Sequence, residues 1–332
     1  MKSFKEIVKQ NMLPIAMLSG ALAYLLYHFA PEPVHLAGPV LEKLVAVLQP
    51  LMLFAMLFLT FCKIEPRDLH PHRWHGWLLL IQGAFFVLPG LAIVLLQRFC
   101  HTDLSACTVL LESAMLCFIC PTATAAAVVT GKLGGDLRGI ISYTILINIL
   151  TAILVPAIVP LIQPMGGMHF WDAFCKILAK VFPLLIMPCL AAWLVRYLLP
   201  SVHRTILSKP DLAFKIWAVS LSLAIAVTVK AIVHSTMPVY LMVLIALVSL
   251  VCCVLQFAIG HKVGSVYGHR PGHHDKRITA GQALGQKNTV FAIWMGYTFM
   301  TPETSIVGGF YSIWHNLYNS WQLRRQEKLN SR

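Results

Sequence analysis

The chain reads as long apolar runs separated by short polar segments. Ten such runs fall at roughly 11–29, 40–62, 74–98, 104–130, 138–164, 171–199, 212–232, 237–260, 279–300 and 302–322. Within each run the apolar residues are continuous, which excludes the period-two alternation of a barrel strand. A helix crossing the hydrocarbon core needs about 20 mostly apolar residues, and the runs have that length. Lipid offers no hydrogen-bond partners to a backbone, so each run is expected to be a helix. The fold class expected is an all-α integral membrane protein with ten transmembrane helices.

Composition points the same way, because 58% of the residues are hydrophobic and only 12% are charged. A water-soluble globule does not show that balance. The first run follows Lys2, Lys5 and Lys9 as a signal peptide would. It is long and lacks a convincing small-residue cleavage site, so it is read as a retained helix. Lys and Arg accumulate in short cytoplasmic loops. With both termini cytoplasmic, all but six of the 26 basic residues lie on that side or in its tail, the exceptions being Lys43, Arg98, Lys176, Lys180, Lys230 and Lys287. The expected location is therefore the plasma (inner) membrane, crossed many times. The net charge of +13 is spread over separate loops, which argues against a nucleic-acid surface. The partners expected are the bilayer and a small solute, with no nucleic acid, and the chain is expected to act as a monomer.

Ten helices divide into two sets of five, residues 1–165 and 166–332, and an odd number per set inverts the second relative to the first. Inverted repeats are a common transporter plan. The fourth run of each set is interrupted, at Cys120-Pro121-Thr122-Ala123-Thr124-Ala125-Ala126-Ala127 and at Ala280-Gly281-Gln282-Ala283-Leu284-Gly285-Gln286-Lys287-Asn288. Proline removes a backbone donor and glycine weakens a helix, so both are candidates for helices broken in the membrane. Two kinked packing helices with small residues at their contact are the alternative. Lys287 lies within the ninth run, where an ionisable residue costs roughly 3 kcal/mol or more. It either reaches the cytoplasmic surface along its stem or faces protein and water. Gln282 and Gln286, four apart, share one helical face with a polar environment.

The stretch Cys120 to Thr130, ending at Gly135-Asp136, resembles the fourth-helix crossover of the bile acid:sodium symporter family, whose pattern is roughly C-P-G-G-T-A-S-N-V-x-T-x-x-x-x-G-D. Tyr311-Ser312-Ile313-Trp314-His315-Asn316 is similar to the family's F-S-x-W-H-N, and Gln282-x-x-x-Gln286 to its E-x-x-x-Q-N. Met56-Leu57-Phe58 and Lys63 to Leu69 resemble its second helix and exit. The resemblance implies a panel domain from runs 1, 2, 6 and 7 and a core domain from runs 3–5 and 8–10, with broken, crossing helices in runs 4 and 9.

The resemblance also implies a sodium site that this chain has lost. The family's Ser-Asn pair is Ala126-Ala127, a Ser of the fifth helix falls on Ile140, only Thr144 remains there, and the Glu of the ninth helix is Gln282. A hard cation wants several oxygens and usually a carboxylate, so this set should not hold sodium. The family's second sodium site would keep Gln286 but shares the lost Glu, and it wants a Gln from the third helix, where Gln82 lies nearby. The family's Asn after that Gln is Lys287, an ammonium that stands in for the ion or binds and releases a proton. The family carries organic anions, which implies a similar substrate here. The expected substrate-binding set is Thr122, Thr124, Gln282, Gln286, Lys287, Asn288 and Asn316, with no cofactor and no metal. His315 and Asn316 are alternatively ties between the last helix and the crossover.

Glu112 is either a proton acceptor or a residue of an outward-facing aqueous vestibule. Cys117 and Cys120 have C-x-x-C spacing without further ligands, and Cys100 and Cys107 bracket a short loop where a disulfide is conceivable. His261, His269, His273 and His274 are read as a solvated basic loop. A metalloid or proton carrier of the same superfamily and a non-transporting membrane sensor are the other function classes. An enzyme is not expected, since no nucleophile–base constellation, phosphate loop or soluble domain is legible.

Overall fold

The computed structural model describes residues 12–99, 105–163, 167–209, 212–267 and 276–330, and its regular elements are all helices. In chain order they are α1 (Met12–His28), α2 (Glu32–His35), α3 (Gly38–Phe61), α4 (Arg73–Phe99), α5 (Ser105–Ile119), α6 (Ala125–Lys132), α7 (Leu137–Ile162) and α8 (Phe170–Leu185). They continue as α9 (Met187–Leu198), α10 (Pro200–Leu207), α11 (Leu212–Val233), α12 (Val239–Val266), α13 (Lys276–Gly285), α14 (Thr289–Phe299) and α15 (Pro302–Asn330), with a 3₁₀ turn at Pro66–Asp68.

Each apolar run coincides with one helix or with a helix pair. Six spans have the length and hydropathy of a membrane crossing: Gly38–Phe61, Arg73–Phe99, Leu137–Ile162, Phe170–Leu198, Lys215–Val233 and Val239–Val266. Shorter apolar helices are Pro14–His28, Ser105–Ile119 and Thr289–Phe299. The last two are short because the fourth and ninth runs break, as α5 with α6 and α13 with α14. The sixth run also divides, at Ile186, where Pro188 has no N–H with which to continue the ladder. Helix α15 outlasts its apolar stretch because residues 323–330 are mostly good helix formers.

The outward faces of these spans are apolar. Leu26, Leu80, Leu194 and Val251 are each more than half exposed. Water would penalise so much contiguous apolar surface, whereas hydrocarbon does not. Polar residues are turned inward, among them the buried Gln82, Glu112, Gln256, Gln282 and Lys287. At the end of α3, the carbonyl of Cys62 accepts bonds from His203 Nε2 at 2.8 Å and Arg196 Nη2 at 3.3 Å, and Arg196 also pairs with Glu65 at 3.0 Å. This clasp joins α3 to α9 and α10.

Helix α13 is short, and its position is set by α12. Gly260 and Gly264 are one turn apart on α12 and lie against the backbone of α13. A Cβ at Gly260 would fall 2.5 Å from Ala280 O and 2.8 Å from Gly281 Cα. One at Gly264 would strike the carbonyl of Lys276. Small residues permit this approach, as they do at other membrane helix contacts. His261, between them, bonds Arg277 O at 3.0 Å and Tyr318 Oη at 3.0 Å, so it belongs to the α12–α13–α15 contact and not to a solvated loop. His269, His273, His274 and Cys100 lie outside the described residues. Gly260→Ala is expected to lower protein stability by roughly 1–3 kcal/mol through overpacking. Thermal unfolding of the detergent-solubilised protein measures this, and an unchanged midpoint would contradict the close approach.

Candidate functional site

The two interrupted runs meet at their interruptions. Helix α5 ends at Ile119, the chain passes through Cys120 to Thr124, and α6 begins at Ala125. Pro121 cannot donate a helical hydrogen bond, which accounts for the stop. Helix α13 ends at Gly285, and α14 starts at Thr289 behind Asn288, whose Oδ1 accepts from Phe291 N at 3.2 Å as an N-cap. The freed backbone groups find one another. Ala123 N donates to Gln286 O at 2.8 Å and Asn288 N donates to Pro121 O at 2.8 Å, making an antiparallel bridge between Thr122 and Lys287.

A helix end inside a membrane protein also leaves carbonyls without partners. At the end of α5, each carbonyl from Cys117 to Cys120 accepts a side-chain donor. Gln256 Nε2 serves Cys117 O at 3.1 Å, and Lys287 Nζ serves Phe118 O at 3.2 Å. Thr151 Oγ1 serves Ile119 O at 3.0 Å, and Gln82 Nε2 serves Cys120 O at 3.1 Å. The donors come from α12, the second break, α7 and α4. At the end of α13, Thr122 Oγ1 donates to Ala283 O at 2.7 Å and Tyr311 Oη donates to Gly285 O at 2.8 Å. Gln256 and Tyr311 are linked at 3.0 Å, and Tyr143 Oη donates to Gln82 Oε1 at 2.8 Å.

Lys287 is 1% exposed and does not reach a surface. Its ammonium lies at the carbonyl end of α5, where the helix dipole favours a cation. Its bond is to Phe118 O, and not to the Gln282 or Thr124 side chains expected as its neighbours. The described ion pairs, Arg67–Glu65, Arg196–Glu65 and Lys230–Glu42, do not include it. A small cavity beside it is lined by Leu116, Cys117, Cys120, Thr289 and Val307.

The other predicted residues divide. Thr122, Gln286 and Asn288 are buried in the breaks, and Gln286 Oε1 and Asn288 Nδ2 are buried without partners. Thr124 is half-buried at the start of α6 and its side chain makes no cap bond. Gln282 turns toward α15, donating to Asn319 Oδ1 at 3.0 Å and Gln322 Oε1 at 2.7 Å. Asn316 is not brought to the breaks by its recorded bonds, since its amide donates to Ser312 O at 2.6 Å on its own helix. The tie from the last helix to the crossover is Tyr311, one turn before the expected His315, which is buried with its ring 5.7 Å from that of Tyr311. Glu112 is fully buried, which excludes the aqueous-vestibule reading for this conformation.

Two of the positions compared above with a sodium site are packed as apolar core. Ala126 and Ile140 are 0% exposed and share a cluster with Ala280, Ala283 and Leu284. Thr144 Oγ1 donates to Ile140 O at 2.9 Å within its own helix. Four residues absent from the expected set, Gln256, Thr151, Tyr311 and Tyr143, hold the breaks. The available signal was a lone polar group inside an apolar span, which is costly unless it has a partner.

The model of the Sodium Bile acid symporter family matches residues 50–237, more than half of the chain. The chain belongs to that family. No curated protein sequence matches it. Members of the Sodium Bile acid symporter family are transporters, so the paired breaks stand in a multi-pass membrane protein that handles a small solute. The matched stretch contains the first break and ends before α13, α14 and α15. Thr122→Val is expected to lower stability by about 1–3 kcal/mol, because Ala283 O would be buried without a partner. The unfolding midpoint of the purified protein checks this, and a neutral effect would mean that another donor replaces the hydroxyl.

Proposed function

We propose that this chain is a secondary transporter of a small organic anion, working by alternating access without sodium at the family's first ion site. The observation that carries the proposal is the Lys287 ammonium, buried in the paired breaks on Phe118 O with no carboxylate among its recorded partners. A cation tethered there supplies permanently the charge that a bound ion would bring. A buried charge without a counter-ion is unfavourable, and an anionic substrate would relieve it. The apolar packing of Ala126 and Ile140 and the turn of Gln282 toward α15 support the loss of the ion site.

The wider plan is ten crossings in two inverted repeats, residues 1–165 and 166–332, with the breaks in the fourth run of each and both termini cytoplasmic. The ten runs and the matching positions of the breaks support it. Transport would then proceed by movement of the core that holds the breaks against the remaining panel helices, exposing one set of groups to either side.

A thermal-shift screen of the purified protein against a panel of organic acids, in sodium chloride and in potassium chloride, tests this reading. At least one acid is expected to stabilise the wild type equally in both salts. Lys287→Ala is expected to weaken that response about tenfold or more, corresponding to loss of a charge-assisted contact. Lys287→Arg should be a poor replacement, because a planar guanidinium does not reproduce a compact ammonium. The combined change Ala126→Ser, Ala127→Asn and Gln282→Glu should introduce sodium dependence. A sodium requirement in the wild type, or an unaltered acid response in Lys287→Ala, would overturn the proposal.

A further inference from the structure

A second buried ionisable group lies away from the breaks, on the same half-helix as the Phe118 carbonyl that Lys287 bonds. Glu112 is 0% exposed. Its Oε1 accepts from Gln163 Nε2 at 2.6 Å and its Oε2 accepts from Thr304 Oγ1 at 2.8 Å. Gln163 is the residue after α7, and Thr304 is in the first turn of α15. One carboxyl group therefore joins α5 to two other elements.

The helices packed against α5 carry charged and titratable side chains, among them Arg98 on α4, Tyr240 on α12, Tyr297 on α14 and Glu303 on α15. None of them is among the recorded partners of Glu112, which are Gln163 and Thr304. An ionised carboxylate held this way has two hydrogen bonds and no counter-ion among the described residues, an arrangement with a large desolvation penalty.

The hydrogen-bond chain continues outward. Thr304 Oγ1 and Thr301 Oγ1 are 2.7 Å apart, and either can donate. Thr301 precedes α15 and is partly exposed, next to the exposed Pro302. A hydroxyl is both donor and acceptor, and its proton rotates to suit. With Glu112 ionised, Thr301 donates to Thr304 and Thr304 donates to Oε2. With Glu112 protonated, the order reverses: the carboxylic acid donates to Thr304, Thr304 donates to Thr301, and Thr301 donates outward. The Gln163 amide donates to Oε1 in both states. A carboxylate fixed by backbone amides could not exchange roles in this way.

We propose that Glu112 is a reversible proton-binding site, filled and emptied through the hydroxyls of Thr304 and Thr301. The ligand is the proton. Hydronium at the exposed end gives a proton to Thr301, each hydroxyl passes its own proton to the next oxygen, and the carboxylate becomes a carboxylic acid as hydronium becomes water. Only O–H bonds form and break, and no electron is transferred between groups. Because Glu112 ties α5 to α7 and α15, its charge state alters how the half-helix leading to the first break is held. As a coupling site for the carrier it rests on the transport reading above; as a proton site it does not.

Infrared spectroscopy of the purified full-length protein reads this directly and needs no substrate, so its outcome is independent of the acid-binding screen. The wild type is expected to show a carboxylic-acid carbonyl band that converts to carboxylate as pH is raised. Glu112→Gln should lose that band. Thr304→Val should slow the response of the band to a pH jump, and Thr304→Ser should restore it, which a purely structural hydroxyl would not require. Absence of a titrating band assignable to Glu112 would overturn the site. Equal response rates in wild type, Thr304→Val and Thr304→Ser would overturn the relay.

Discussion

The backbone pairing of the two broken helices is the constraint on which the rest of the structure depends. A chain interrupted inside a membrane protein exposes amide and carbonyl groups that hydrocarbon cannot satisfy, at a cost of several kcal/mol each. Ala123 with Gln286 and Asn288 with Pro121 remove that cost mutually. Each break satisfies the other, which binds α5, α6, α13 and α14 into one unit. The short helix α13 reaches its place because Gly260 and Gly264 let it lie against α12.

The pairing leaves the carbonyl ends of two half-helices inside the protein, and the surrounding helices supply the donors. Gln256, Thr151 and Gln82 are neutral, while Lys287 is an ionisable group at the pole of α5 that favours a cation. Neutral amides and hydroxyls would have sufficed for hydrogen bonding alone. The presence of a lysine in that set distinguishes the crossover chemically from a packing junction built of amides and hydroxyls alone.

Glu112 on α5 and Lys287 in the second break show two ways of burying an ionisable group. Lys287 meets a helix terminus with a carbonyl already in need of a donor. Glu112 meets an amide and a hydroxyl contributed by two other elements. The first arrangement fixes an amine against a backbone carbonyl. The second, through the neighbouring Thr301, has hydrogen-bond partners for both the acid and its conjugate base.

The sequence by itself determined the solvent and the helices. Continuous apolar runs leave a lipid-facing backbone no choice but to bond within its own segment, and Pro121 and the glycines around Gln282 mark where that bonding fails. Thr122, Gln286, Lys287 and Asn288 were legible for the same reason, as polar residues beside a break. What only the tertiary structure decided was the direction of each side chain and the identity of its partner. Gln282 and Gln286 share a helical periodicity, yet Gln282 faces Asn319 and Gln322 on α15. Asn316 bonds within its own helix, and the contact to the crossover falls to Tyr311. Gln256, Thr151 and Tyr143 are distant from the breaks in sequence, and nothing in a one-dimensional pattern states which buried carbonyl a lone polar group will meet. That depends on the rotation of each helix about its axis, which the packing of all its neighbours sets.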